Sequence, residues 1–263
     1  GGTWSKLFNV NALNNRYPLL AAVIWHLTIT LLGWIAYPLL RLAAPGLDDR
    51  GYPLARIAGM LILSYLVWLA GSFRVPATKL TVGIILLGMT LVSAWLYYHQ
   101  WGEIRSELRQ KGKYFLSIEG LSLAFFVAFL LVRLGNPDLW HPWKGGEKPM
   151  DFSYFNAVLK STSFPPYDPW YAGGYLNYYY YGFVLVGAPV KLLGIVPAVA
   201  YNLILPTLFS LIALGAFSAA WNLAQSATAR RAAKTAPAEA GRISPYVPGL
   251  AAALGMAVLG NLG

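Results

Sequence analysis

An all-α bundle of membrane-crossing helices, a polytopic transmembrane fold, is the architecture this sequence specifies, and three observations specify it. Of 263 residues, 57% are hydrophobic and 11% charged, whereas a water-soluble domain carries about 25% charged residues. Seven hydrophobic segments punctuate the chain, at residues 18–40, 52–73, 80–98, 114–134, 176–193, 199–223 and 246–262; roughly 20 apolar helical residues cross a bilayer core. None of the runs alternates as barrel strands do, so helix is the backbone that satisfies its own hydrogen bonds in lipid.

Taken in order, residues 1–17 form a polar N-terminal segment and 18–134 a four-span membrane region. The first run is too long for the core of a signal peptide, and no small-residue cleavage site follows it. Residues 43–51 (AAPGLDDRG) make a short turn rich in Pro, Gly and Asp. Residues 99–113 are polar, with Glu107 and Lys111 at the favourable i,i+4 spacing. Arg105, Arg109, Lys111 and Lys113 mark that segment as cytoplasmic. Residues 135–175 form a long external loop, and 176–263 hold further membrane spans. The chain opens Gly1-Gly2 without an initiator Met and stops just after an apolar run, so it is expected to continue beyond Gly263.

A second basic stretch, residues 225–244, carries Arg230, Arg231, Lys234 and Arg242. Seven crossings would put it opposite residues 99–113, against the positive-inside preference. Either the rule fails there, or a segment between 176 and 223 re-enters without crossing. The run 176–193, which opens on Asn177 and a tyrosine cluster, is the weakest span.

Charge and composition exclude several classes. The net charge of +10 on so apolar a chain fits membrane orientation and anionic lipid headgroups; no nucleic acid partner is expected. The absence of Cys excludes disulfides, thiolate metal sites and Cys nucleophiles. His26, His99 and His141 are far apart, which argues against a His-rich metal cage.

The loop 135–175 carries the chemistry. At about 40 residues it far exceeds the usual 4–6 of a connection, and Trp140, Trp143, Trp170 and several Tyr give it the composition of an interfacial object. Residues 149–160 predict a short helix lying flat on the outer leaflet: Pro149 and Asp151 open it, and Tyr154, Phe155, Val158 and Leu159 form its apolar face. Pro165-Pro166 stops it, and Gly173-Gly174 hinges into the next span. Glu147, Lys148, Asp151 and Asp168 lie at the mouth of the bundle, where carboxylates serve as a general base or hold a divalent cation, and a Lys pairs with phosphate oxygens. The plainer alternative has Asp151 complementing a helix N-terminus and Asp168 capping a turn.

Tyr178, Tyr179, Tyr180 and Tyr181 follow. Tyrosines belong at the interface, yet four consecutive ones point all around a helix, so some face protein and offer hydroxyls to a headgroup, a sugar or a carboxylate. Glu119 and His26 lie inside runs and are candidates by that fact. Glu119 also reads as interfacial, and a lone intramembrane His usually bonds a neighbouring helix.

The strings Glu147-Lys148-Pro149-Met150-Asp151-Phe152, Phe164-Pro165-Pro166-Tyr167-Asp168-Pro169-Trp170 and Leu176-Asn177-Tyr178-Tyr179-Tyr180-Tyr181-Gly182 resemble a family of large polytopic membrane proteins of unknown function named for its tyrosine run (the YYY family). The likeness extends to Asp49-Arg50-Gly51-Tyr52, Ala200-Tyr201-Asn202-Leu203 and Gly260-Asn261-Leu262. The layout is similar to the C-superfamily of membrane glycosyltransferases, which take sugars from polyprenyl-phosphate carriers and place an acidic residue in the first long external loop. That resemblance implies Asp151 as the base, Lys148 as the phosphate partner, and Glu147 and Asp168 as second acidic residues that would hold a divalent cation. The simplest such enzymes have one span before the loop, whereas four runs precede it here.

Three functions are therefore expected to compete. The first is an integral, multi-pass protein of the cell membrane that transfers sugar from a polyprenyl-phosphate donor, with Tyr178–Tyr181 in the binding surface. The second is a non-catalytic subunit packed within a larger membrane complex. The third, a transporter coupled through Glu119, would need broken helices that the sequence barely offers.

Overall fold

The computed structural model describes residues 4–139, 146–232 and 244–261. Trp140, His141, Trp143, Lys234 and Arg242, invoked above, lie outside the described residues. The described chain is helical: α1 (Trp4–Leu7), α2 (Leu13–Arg16), α3 (Pro18–Ala43), α4 (Ala55–Ser72, preceded by a 3-10 turn at Tyr52–Leu54), α5 (Lys79–Gly135), α6 (Lys148–Lys160), α7 (Tyr180–Leu193), α8 (Pro197–Ala232) and α9 (Tyr246–Ala257).

Among the described residues, four helices are long and apolar enough to cross a membrane: Pro18–Ala43, Tyr52–Ser72, Lys79–Gly135 and Pro197–Arg230. The third and fourth apolar runs belong to the single 57-residue α5, whose helical geometry breaks at Lys111 (φ −113°, ψ 20°). Residues 99–113 were expected as a loop because they are polar. They are also rich in Glu, Arg, Leu, Gln and Lys, all good helix formers, so the helix continues through them and turns back just before Gly112. Contacts establish the return. Ala77, ahead of α5, donates its N–H to Thr162 O, and Arg133, near its far end, bonds Asn202 at the start of α8. The middle of α5 reaches the opposite end of the bundle, where Lys111 bonds Asp48 O and Glu107 pairs with Arg41.

The weakest span is a short apolar helix, below the length that crosses a bilayer as a straight helix. α7 has 14 residues, about 21 Å of helix, against a bilayer core of about 30 Å. Both of its ends meet the same ring: Phe164 stacks on Tyr180 at the start and lies 6.0 Å from the Lys191 ammonium near the finish. The end of α7 lies at the end of the bundle where α3 begins, since Asn14 and Asn15 donate to Leu193 O and Gly194 O. α8 departs from that end, and its Ser218 and Asn222 reach the α3–α4 turn at Asp49. The described part of the second basic stretch therefore emerges beside residues 99–113, which removes the charge conflict posed by seven crossings.

Packing follows residue size. A Cβ on Gly59 would stand 2.3 Å from Leu32 O, and one on Gly33 would stand 3.0 Å from the Arg56 side chain, so α3 and α4 cross where both lack side chains. One core surrounds Trp25, Leu63, Phe155 and Val184. A second, at the basic end, stacks Tyr37, Tyr52, Tyr114, Phe115 and Phe217.

Candidate functional site

Helical periodicity sorts α6 into two flanks. Glu147, Lys148, Asp151 and Phe155 fall on one side, and Ser153, Asn156 and Lys160 on the other. Pro149 sits in the first turn, where its missing N–H costs nothing, and Asp151 complements the helix N-terminus. Phe155, Val158 and Leu159 are buried, with Val158 and Leu159 facing Gly187 of α7. The helix is thus built into the protein rather than laid with its apolar face on lipid.

On the first flank Asp151 is half-buried, and its N–H donates to Glu147 O at 2.9 Å. Desolvation raises its carboxyl above the usual carboxylate range, and the neighbouring Glu147 charge raises it further. One turn along lies an apolar cleft of about 320 Å3 lined by Phe155, Tyr179, Phe183, Tyr201 and Leu205. Tyr179 feels the charges of both Glu147 and Asp151, and Tyr201 lies within electrostatic reach of Asp151 and Arg133. Asp151 lies one helical turn before Phe155, which is in the wall of this cleft. Lys148 shares its turn and makes no ion pair among the described residues.

Asp168 belongs elsewhere. Its Oδ1 accepts from Trp170 N–H at 2.8 Å and its own N–H donates to Gly174 O at 3.0 Å, which makes it a turn-forming residue of the segment bridged by Tyr167 and Tyr175. Its side chain lines a separate groove of about 860 Å3 with Ser153, Asn156, Lys160 and Trp4. The structure thus brings Glu147, Lys148, Asp151 and Tyr179 together and sets Asp168 across the helix from them.

The tyrosine run divides as well. Tyr178 and Tyr179 are exposed and stack at 4.0 Å, with Tyr179 in the left-handed region (φ 42°). Tyr180 accepts from Trp68 Nε1 at 2.8 Å and the Tyr181 hydroxyl lies 3.5 Å from Ser64 Oγ, so these two fasten α7 to α4.

No group of three or more His, Asp or Glu gathers among the described residues. Glu147 and Asp151 supply two carboxylates, which would suit a Mg2+-type ion only with substrate oxygens completing its shell.

A family model described as "Uncharacterized membrane protein (DUF2298)" matches residues 62–263. The chain belongs to this family. In this DUF2298 chain the matched region takes in α6, the tyrosine run and α7. No curated protein and no solved structure matches it.

Several polar residues shape the bundle through partners that the sequence did not reveal. Arg41 binds Glu103, Glu107 and Gln100. Glu119, read as interfacial or as a coupling site, accepts from Tyr52 and Arg56 and so joins α5 to α4. His26 packs on the Phe126 ring at 4.9 Å. Lys191 bonds Ala77 O and Ser161 O, and Arg133 bonds Asn202. The available signal was a lone cation within or at the end of an apolar run.

Proposed function

We propose that this chain is a glycosyltransferase-like integral membrane protein that takes a sugar from a polyprenyl-phosphate-linked donor. The observation that carries the reading is Asp151: a carboxylate made more basic by desolvation and by Glu147, one helical turn from Phe155 in the wall of an apolar cleft. Asp151 accepts the proton of an acceptor hydroxyl as that oxygen bonds the sugar's anomeric carbon. The bond from that carbon to the phosphate oxygen breaks, its electron pair leaves with the phosphate, and Lys148 stabilises the departing charge. Glu147 keeps Asp151 basic, and Tyr178 and Tyr179 offer hydroxyls beside it.

The test is Asp151→Asn in membranes supplied with a polyprenyl-phosphate sugar. Loss of a general base removes about 10²–10⁴ of the rate, with the protein still folded; transfer at the wild-type rate refutes the assignment. A non-catalytic subunit is the rival, favoured by an apolar groove of about 600 Å3 between α3, α4 and α5. It requires Asp151→Asn to be silent and Leu66→Trp, in that groove, to weaken copurification of partner subunits.

A further inference from the structure

The groove on the second flank of α6, about 860 Å3 in volume, has no part in the transfer chemistry. Phe8, Phe152 and Val196 give it apolar walls, and Asn156, Lys160 and Asp168 give it a polar edge. Hydrogen bonds fix that edge. Trp170 Nε1 donates to Ser153 Oγ at 2.6 Å, which ties the segment carrying Asp168 to α6. Asp168 Oδ1 accepts from Trp170 N–H, so Oδ2 remains open to a further donor. The Asn156 amide nitrogen donates to Phe152 O at 2.8 Å, so its Oδ1 remains an acceptor as well. Lys160 and Asp168 pair neither with each other nor with any other charge among the described residues.

Its place is the headgroup depth of a bilayer. Pro197 in its wall opens the membrane-length α8, and Trp4 and Phe8 come from the segment before α3. Trp4 and Trp170 are exposed here, as tryptophans at a membrane interface are. A bare phosphate at the polar edge would meet Asp168, and a bare cation would meet Lys160. A ligand that carries both signs, with N–H groups on its cation, satisfies the edge: its phosphate accepts from Lys160, and its ammonium donates to Asp168 and Asn156. The apolar walls suit a hydrocarbon chain.

We infer that this groove holds phosphatidylethanolamine, with the headgroup between Lys160 and Asp168 and an acyl chain along Phe8, Phe152 and Val196. Phosphatidylcholine has no N–H to give the carboxylate, and phosphatidylglycerol brings a net negative charge to it. The site stands independently of the transferase reading, because it uses the other flank of α6 from Asp151.

The test places the full chain in nanodiscs of phosphatidylethanolamine, phosphatidylcholine and phosphatidylglycerol in equal shares, then counts retained lipids by native mass spectrometry. The wild type should retain phosphatidylethanolamine over each of the others by about tenfold or more, the scale of one charge-assisted hydrogen bond. Asp168→Asn keeps an oxygen for Trp170 N–H, so the turn stands, and it should lose the preference over phosphatidylglycerol. Lys160→Met, at an exposed position, should retain about tenfold less phosphatidylethanolamine. Asp151→Asn should change neither result. No preference in the wild type, an intact one in Asp168→Asn, undiminished retention in Lys160→Met, or a loss in Asp151→Asn overturns the proposal. So does release of the lipid by millimolar phosphoethanolamine, which would mark a site for a soluble zwitterion.

Discussion

Raising the pH from 7 to 11 should strengthen this fold at Lys191. The residue is 6% exposed, and its ammonium donates to Ala77 O at 2.9 Å and Ser161 O at 2.6 Å. It thereby ties α7 to the segment before α5 and to the end of α6. Burial pushes its pKa from 10.5 down to about 8, because no carboxylate compensates the desolvated charge. Between those two values the unfolded chain holds a proton that the folded chain has released, so stability rises with pH across that window. At 1.36 kcal/mol per pH unit, the gain is about 3 kcal/mol, absent below pH 8 and complete above 10.5. The neutral amine still has N–H groups for both carbonyls, so the tie survives. The assay is thermal or denaturant unfolding in detergent, wild type against Lys191→Met, at intervals from pH 7 to 11; the difference cancels other titrating groups. The wild-type curve should climb relative to the variant by about 3 kcal/mol between pH 8 and 10.5. Parallel curves, or a relative fall, would refute the burial argument.

Further outcomes follow from the same contacts. Asp49 is 3% exposed and accepts from Gly51 N–H, Tyr114 hydroxyl and Ser218 hydroxyl; Asp49→Ala strands three donors and should cost about 3–6 kcal/mol in unfolding experiments, much of it recovered in Asp49→Asn. Gly71→Val should lower thermal stability by about 1–3 kcal/mol and speed proteolysis of residues 161–179, since a Cβ there would sit 2.6 Å from the Phe164 ring. If Asp151 is the base, transfer should fail as pH falls through its raised pKa, and Glu147→Gln should move that acid limb to lower pH by removing a neighbouring charge; a pH–rate profile reads the shift.

The helical membrane class was legible because lipid leaves the backbone few alternatives, and α6 was legible from Pro149, Asp151 and its apolar spacing. Two features were not. Polarity in residues 99–113 concealed a helix, because helix propensity and solvent exposure are separate properties. The run at 176–193 is hydrophobic whether it crosses or lies within the protein, and its helix occupies only 14 of those residues. At the site, Glu147, Lys148 and Asp151 could be grouped because they share one helical turn. Asp168 was grouped with them by closeness in sequence, which the two flanks of α6 undo. Arg133 and Asn202 lie 69 residues apart, and nothing local to either one announces the pair.

That α8 starts at the end of the bundle that holds Tyr178 is directly measurable. The chain has no Cys, so single substitutions Arg109→Cys, Tyr178→Cys and Ser226→Cys, all at exposed positions, can be labelled with a membrane-impermeant maleimide in sealed vesicles. Arg109→Cys and Ser226→Cys should react from one face of the membrane and Tyr178→Cys from the other. Labelling of Ser226→Cys and Tyr178→Cys from the same face would mean that α7 crosses, and would contradict the account.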